Sequence, residues 1–176
     1  MKYFTPEHYS RGNSPNEADL DGIEDEWERA IRRYNRRWRK IKHAFPEGVR
    51  RFEKQHVCLH DAEVLSIGRE DDRFVWLLET EPPARKPAVL TFTLEDEPSV
   101  EAHTGYGFRP GKPIYWLYEE WNLNRQKRPT FEVLLSNGSV LKLVFRDFHY
   151  LIAEPVLPSV NGQAVPPAGA LVPRSA

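Results

Sequence analysis

Three residues in the stretch VCLHDAEVLSIGRE carry side chains that can do chemistry near neutral pH: His60, Asp61 and Glu63, just after the only cysteine, Cys58. An imidazole can bind a metal ion or move a proton, and carboxylates can bind, orient or accept, so the residue types suit hydrolysis or metal coordination. No ligand or nucleophile spacing accompanies them. On a strand, alternation would put His60 on one face and Asp61 with Glu63 on the other, the two carboxylates about 6.6 Å apart. The competing reading is a strand entrance whose side chains satisfy backbone groups, and it takes precedence. His103 and His149, with Glu119, Glu120 and Asp147 near predicted strand ends, complete a metal or acid–base constellation only if the fold carries them to His60. Cys58 itself reads as a small buried packing residue.

Two further segments could bind without catalysing. In PIYWLYEEWNL, the aromatic residues Tyr115, Trp116, Tyr118 and Trp121 cannot all face one core, because neighbours on a strand alternate. Edged by Glu119 and Glu120, they would form a face for a basic protein partner; the alternative is burial under a second layer. In RRYNRRWRKIK, the cations Arg32, Arg33, Arg36, Arg37, Arg39 and Lys40 could hold phosphates while Tyr34 or Trp38 stacked on a base. Both aromatics, however, fall on an apolar stripe, which leaves the cations as a solvated face balanced by the acids before them. A nucleic-acid partner is therefore not expected. The glycines of TGYGFRPGKP lack the Lys-Ser or Lys-Thr of a phosphate loop and read as a shaped turn, and no cofactor is expected.

These candidates need elements to position them. Thr5, Pro6 and Gly12 mark a short helix with an N-cap, a first-turn proline and a stop, carrying an aromatic lid of Tyr3, Phe4 and Tyr9. From Ser14, as cap, to Phe45, apolar residues recur at helical spacing and predict one long amphipathic helix, acidic first and basic later, as the backbone macrodipole favours. EGVRRFEKQ predicts a second short helix packing through Val49 and Phe52. After Val57 the period changes to two. Six strands are expected, with SVEAHT a weaker seventh, REDDR a polar turn and SNG a hairpin turn. Alternation predicts core faces of Phe74, Trp76 and Leu78; Ala88, Leu90, Phe92 and Leu94; Ile114, Trp116 and Tyr118; Phe131, Val133 and Leu135; and Leu141, Leu143 and Phe145. The expected fold is thus α+β: an N-terminal helical arm and long amphipathic helix (1–56) packed on an antiparallel sheet of about six strands (57–152). A disordered tail rich in proline, alanine and glycine (153–176) completes the single domain. The LVPR at 171–174 matches the start of a thrombin-cleavage cassette.

The 176 residues suit one domain, and a net charge of −1 supplies no global field for nucleic acid or membrane. One cysteine excludes an internal disulfide, and neither a signal peptide nor a membrane span is evident, so a soluble cytoplasmic protein is expected.

MKYFTPEHY with the charge-split helix, and CLHDAEVLSI with LLSNGSVLKLVFRD, resemble a bacterial family classed only as a domain of unknown function, over most of Met1 to Ile152. The HDAEV strand entrance is also distantly similar to that of small antiparallel-sheet immunity proteins of bacterial toxin systems. That resemblance implies binding to a protein without catalysis. The expected function is non-enzymatic macromolecule binding, of an interaction or immunity-like kind, by a cytoplasmic bacterial protein. The alternatives are a hydrolase or metal-binding protein using His60, Asp61 and Glu63, and a nucleic-acid binder using the basic half of the helix.

Overall fold

In the computed structural model, residues 1–81 and 85–153 are described; the expected tail and its LVPR lie, apart from Ala153, outside them. The chain builds α1 (Pro6–Gly12), α2 (Glu17–Leu20), α3 (Ile23–Ile41), a 3-10 turn (Lys42–Ala44) and α4 (Glu47–Lys54). Seven strands follow: β1 (Glu63–Glu70), β2 (Arg73–Glu79), β3 (Pro87–Leu94), β4 (Ser99–Ala102), β5 (Trp116–Leu123), β6 (Pro129–Leu135) and β7 (Ser139–Ile152). The α+β class and the antiparallel sheet agree with the sequence reading. The sheet has seven strands rather than six, because SVEAHT pairs as β4 with the first residues of β7.

The predicted long helix is divided. Asn16, not Ser14, caps α2, and Gly22 in the left-handed region (φ 69°) breaks the chain before α3. Asp-Gly inside a helical pattern is a turn signal that periodicity outweighed. The main helix accordingly begins at Ile23 instead of at the N-terminus. α1 forms as expected, with the Thr5 side chain accepting the His8 N–H.

Strand order is β1-β2-β3-β7-β6-β5, every neighbour antiparallel, with β4 beside β7. The 14 residues of β7 span two neighbours on one side: β4 pairs its start and β3 its end. The sheet curls until its outer strands meet. Asp61 N–H donates to the Trp116 carbonyl (2.8 Å), Trp116 N–H to Ala62 (2.9 Å) and Val64 N–H to Ile114 (2.8 Å). Pairing the ends removes part of the exposed edge that an open sheet would present.

Inside the curl sit Trp76, Trp116, Trp121, Phe92, Phe131, Phe145 and Phe148, all essentially solvent-free. Phe92 packs 4.9 Å from Phe131 and 4.8 Å from Phe148, ring centre to ring centre, in the tilted arrangements aromatic quadrupoles favour. The predicted core faces of β2, β3, β6 and β7 are buried as alternation requires. α4 caps this core, with Val49 and Phe52 buried and Phe52 edge-on to Trp121 and Phe148. α3 does not cover the sheet as expected. Only Ala30 and Ile41 of its residues are buried, and it lies along β5.

β5 departs from simple alternation because Leu117 is a bulge between Trp116, opposite Leu135, and Tyr118, opposite Leu134. One extra residue reverses every later side chain. Glu119 and Trp121 therefore share the inner face with Val133 and Phe131, while Tyr118 and Glu120 share the outer face with Leu134 and Glu132. The prediction that Tyr118 joins Trp116 in the core is corrected by this bulge.

Candidate functional site

The N-terminal arm lies over the outer face of β5 because Glu120 holds it there. This buried carboxylate accepts the backbone N–H groups of Lys2 (3.0 Å), Tyr3 (2.6 Å) and Phe4 (2.8 Å). Charge-assisted bonds to backbone donors are the strong kind, and they satisfy a buried charge that would otherwise be costly. Phe4 then packs against Trp27, Tyr34 and Tyr118. From α3, the Tyr34 hydroxyl accepts the Trp121 N–H (2.9 Å), covering a free backbone donor of the β5 edge.

Beside this arm opens a cleft of about 700 Å³. It is lined by His8, Tyr9, Gly12 and Asn13 of α1, by Ile23, Glu24, Trp27 and Glu28 of α3, by His60 and Asp61, and by Leu117 and Tyr118 of β5. Its floor is aromatic: Trp27 meets Tyr118 edge-on at 4.6 Å, and Tyr9 lies at 6.2 Å on the other side. Its rim is acidic. Burial raises the phenols of Tyr9 and Tyr118 above the ordinary range, with Asp61 adding to the first and Tyr9, then Asp61, to the second; like any tyrosine, both present O–H groups at neutral pH. Glu24 has no ion-pair partner among the described residues, whereas Glu28 pairs with Arg32 (2.7 Å). Glu26, two positions from each, is engaged by Arg11 (2.7 Å) and His8 (3.2 Å), and the Arg11 bond holds its carboxyl below the usual range.

His60 and Asp61 do not alternate, because they belong to a turn before β1. Asp61 adopts φ 61°, a region that Asp tolerates better than most residues. His60 Nδ1 donates to the Leu117 carbonyl (2.5 Å), its ring lies 5.0 Å from Tyr118, and Nε2 is 3.5 Å from Asp61. A carbonyl only accepts, so Nδ1 carries hydrogen, and Nε2 donates to Asp61 only in the doubly protonated ring. Glu63, by contrast, opens β1 opposite Tyr115 and is absent from the cleft lining. The turn thus ties β1 to β5 and at the same time places an imidazole and a carboxylate in the cleft wall.

The remaining sequence candidates scatter. His103 lies near Glu101 (3.8 Å) and Glu7 (4.0 Å), and His149 pairs with Asp147 (3.1 Å) on the exposed side of β7. Among the described residues, no three His, Cys, Asp or Glu side chains are placed to hold a metal ion. Within the proposed aromatic and acidic face, Trp116, Glu120 and Trp121 are buried, Tyr115 is exposed, and Tyr118 alone reaches the cleft. Cys58 is exposed, contrary to the expected packing role, in a shallow hollow shared with Glu53, His56, His60 and Glu119. There the bulge has consequences: inward-facing Glu119 accepts the Trp116 indole N–H (2.7 Å), and Glu53 approaches it from α4. Burial first, and Glu119 second, push the Glu53 carboxyl up from 4.5 to about 7; burial likewise raises Glu119.

Sequence reasoning did not single out Trp27, Asn13 or Glu24 as site residues. The signal available was the Asp-Gly break that frees the start of α3 from the sheet. No helix among the described residues is long and apolar enough to cross a membrane. Comparison with protein-family models, with curated proteins and with solved structures returned no significant match.

Proposed function

We propose that this chain is a non-enzymatic binding protein that receives a basic segment of another protein in the cleft between α1, the start of α3 and the β1–β5 turn. The observation that carries this reading is the union of an aromatic floor, Trp27 and Tyr118, with carboxylates at Glu24, Glu28 and Asp61 around it. A guanidinium or ammonium group set over such rings gains from the ring quadrupole and from the carboxylates together, and more so where water is excluded. The phenol hydroxyls of Tyr9 and Tyr118 would orient the incoming chain by hydrogen bonds. The resemblance to toxin-immunity proteins, which bind and do not catalyse, points the same way.

Titration of the protein with fluorescent oligo-arginine, oligo-lysine and oligo-glutamate peptides tests the reading. The basic peptides should bind, oligo-glutamate should not, and Trp27→Ala and Asp61→Asn should each weaken binding by roughly 5- to 30-fold, the range of a partly desolvated cation–π or charge contact. Absence of binding by either basic peptide, or binding indifferent to both substitutions, overturns it.

A further inference from the structure

The other half of α3 presents a different surface. Arg29, Arg33 and Arg37 form one four-residue row and Arg32, Arg36 and Lys40 the row beside it, so all six lie along one side of the helix. Two shallow grooves run along this side, of about 480 and 350 Å³. The first is walled by Arg29, Arg32, Arg33 and Arg36 and closed at one end by His8 and Glu26, the carboxylate that Arg11 engages; the second is walled by Arg33, Arg36, Arg37 and Lys40 with Lys2 and Tyr3 beside them and holds no carboxylate among the described residues. The cations form the exposed face that the sequence reading expects, but direct pairing with the acidic half is confined to one of them. Only Arg32 reaches a carboxylate, Glu28; Arg29 bonds the Asp25 carbonyl, and Arg33, Arg36, Arg37 and Lys40 have no ion-pair partner among the described residues.

Stability does not account for the arrangement. The macrodipole favours cations in the last turn, which explains Arg39 and Lys40 but not Arg29 to Arg37. Like charges at i,i+3 and i,i+4 weaken a helix, and this face consists of them. Nor does the face suit membrane insertion, since the apolar side of α3, with Trp27, Ala30, Tyr34 and Ile41, is turned to the protein. We infer that this face of α3 binds the phosphate backbone of a nucleic acid.

Five of the six cations are arginine, whose planar fork matches two phosphate oxygens at once. From Arg29 to Lys40 the stripe is about 16 Å long, close to the axial rise of five phosphates on one strand of a duplex. Tyr34 and Trp38 pack inward instead of offering a stacking platform, so recognition is of the backbone and carries no base sequence. The inference uses no cation of the cleft, and the two surfaces meet only where Arg32 pairs with Glu28 and where His8 borders both.

Fluorescence anisotropy with labelled duplex and single-stranded oligonucleotides of about 20 nucleotides, across roughly 50 to 200 mM salt, tests it. For four or five phosphates contacted, affinity should fall on the order of 100-fold over that range. The Arg33→Ala, Arg36→Ala, Arg37→Ala triple variant should flatten the log–log salt slope by about 0.9 for each duplex contact removed, with unchanged circular dichroism. Binding of the duplex alone or of the single strand alone supports the inference and identifies which form is held. No binding of either at low salt, or a triple variant with unaltered slope, overturns it. So does displacement by poly-glutamate at equal charge concentration, which would assign the face to an acidic protein.

Discussion

α3 and α4 are consecutive helices with opposite uses. α4 has 8 residues and α3 has 19, yet the short helix buries Val49 and Phe52 in the main core while the long one buries only Ala30 and Ile41. α4 approaches the sheet so closely that a Cβ on Gly48 would lie 1.8 Å from the Phe148 carbonyl oxygen. α3 meets the rest of the protein along a narrow line, through Ala30, Tyr34 and the arm that Glu120 holds, and through Trp38 and Ile41 at its C-terminal end. The length of an apolar stripe is therefore no measure of how deeply a helix is buried. A short helix wedged against β7 closes the core, and a long one left standing at the edge can display two charged surfaces of opposite sign.

That contrast makes substitution in α4 costly and substitution on the exposed side of α3 cheap. The largest effect is expected from Gly48→Ala. Alanine would ordinarily favour a helix, but here the methyl group meets backbone that cannot move aside, and a loss of about 3–5 kcal/mol should appear in urea unfolding. A variant as stable as the parent would show that α4 does not sit tightly on β7.

Glu53→Gln should act in the other direction and depend on pH. The folded carboxyl titrates at about 7 rather than 4.5, so the fold prefers it protonated. Its contribution is fully present below about 4.5, declines as pH rises toward 7, and is a constant penalty above that. The raised Glu119 adds to the same trend, whereas the lowered carboxyls of Glu7, Glu26, Glu97 and Glu132 contribute stability that is present at neutral pH and lost only as pH falls below the ordinary carboxylate range. Glutamine, always neutral, should stabilise the protein by about 1–3 kcal/mol at pH 8, after allowing for partial solvent screening, and hardly at all at pH 5. Equal unfolding midpoints for parent and variant at pH 8 would remove the carboxylate pair from the account.

Arg36→Ala is the smallest. It removes like-charge neighbours at Arg32, Arg33, Arg39 and Lys40 from an exposed helix and introduces a better helix former, so stability should hold or rise by up to about 0.5 kcal/mol. A loss above about 1 kcal/mol in the same assay would mean that the basic face is packed rather than free.

Much of the fold could be read in advance where one local rule governs. Phe74, Trp76 and Leu78 of β2, like Ala88, Leu90, Phe92 and Leu94 of β3, alternate in sequence and are buried in alternation, and the SNG turn with Gly138 at φ 85° joins β6 to β7. Thr5, Pro6 and Gly12 likewise bound α1. The failures occur where two local signals compete or where a partner is remote. Gly22 set a turn against a long periodicity, and the turn prevailed. Leu117 is apolar on either face, so nothing local distinguishes a bulge there from a regular strand, yet the bulge decides that Glu119 faces Glu53 and that Tyr118 faces the cleft.

The sequence by itself determined the class of fold, the core faces of β2, β3, β6 and β7, the short helices α1 and α4, and the polarity of charge along α3, because these depend on spacing between near neighbours and on intrinsic backbone preference. Only the tertiary structure decided what each charge and ring is for. Glu120 was turned to backbone donors 116 to 118 residues away, His60 to a carbonyl 57 residues away, and the Arg33 to Lys40 face was left without carboxylates. Burial and charge pairing are set by which distant segments meet, and here that was fixed by the curl of the sheet and by one extra residue in β5.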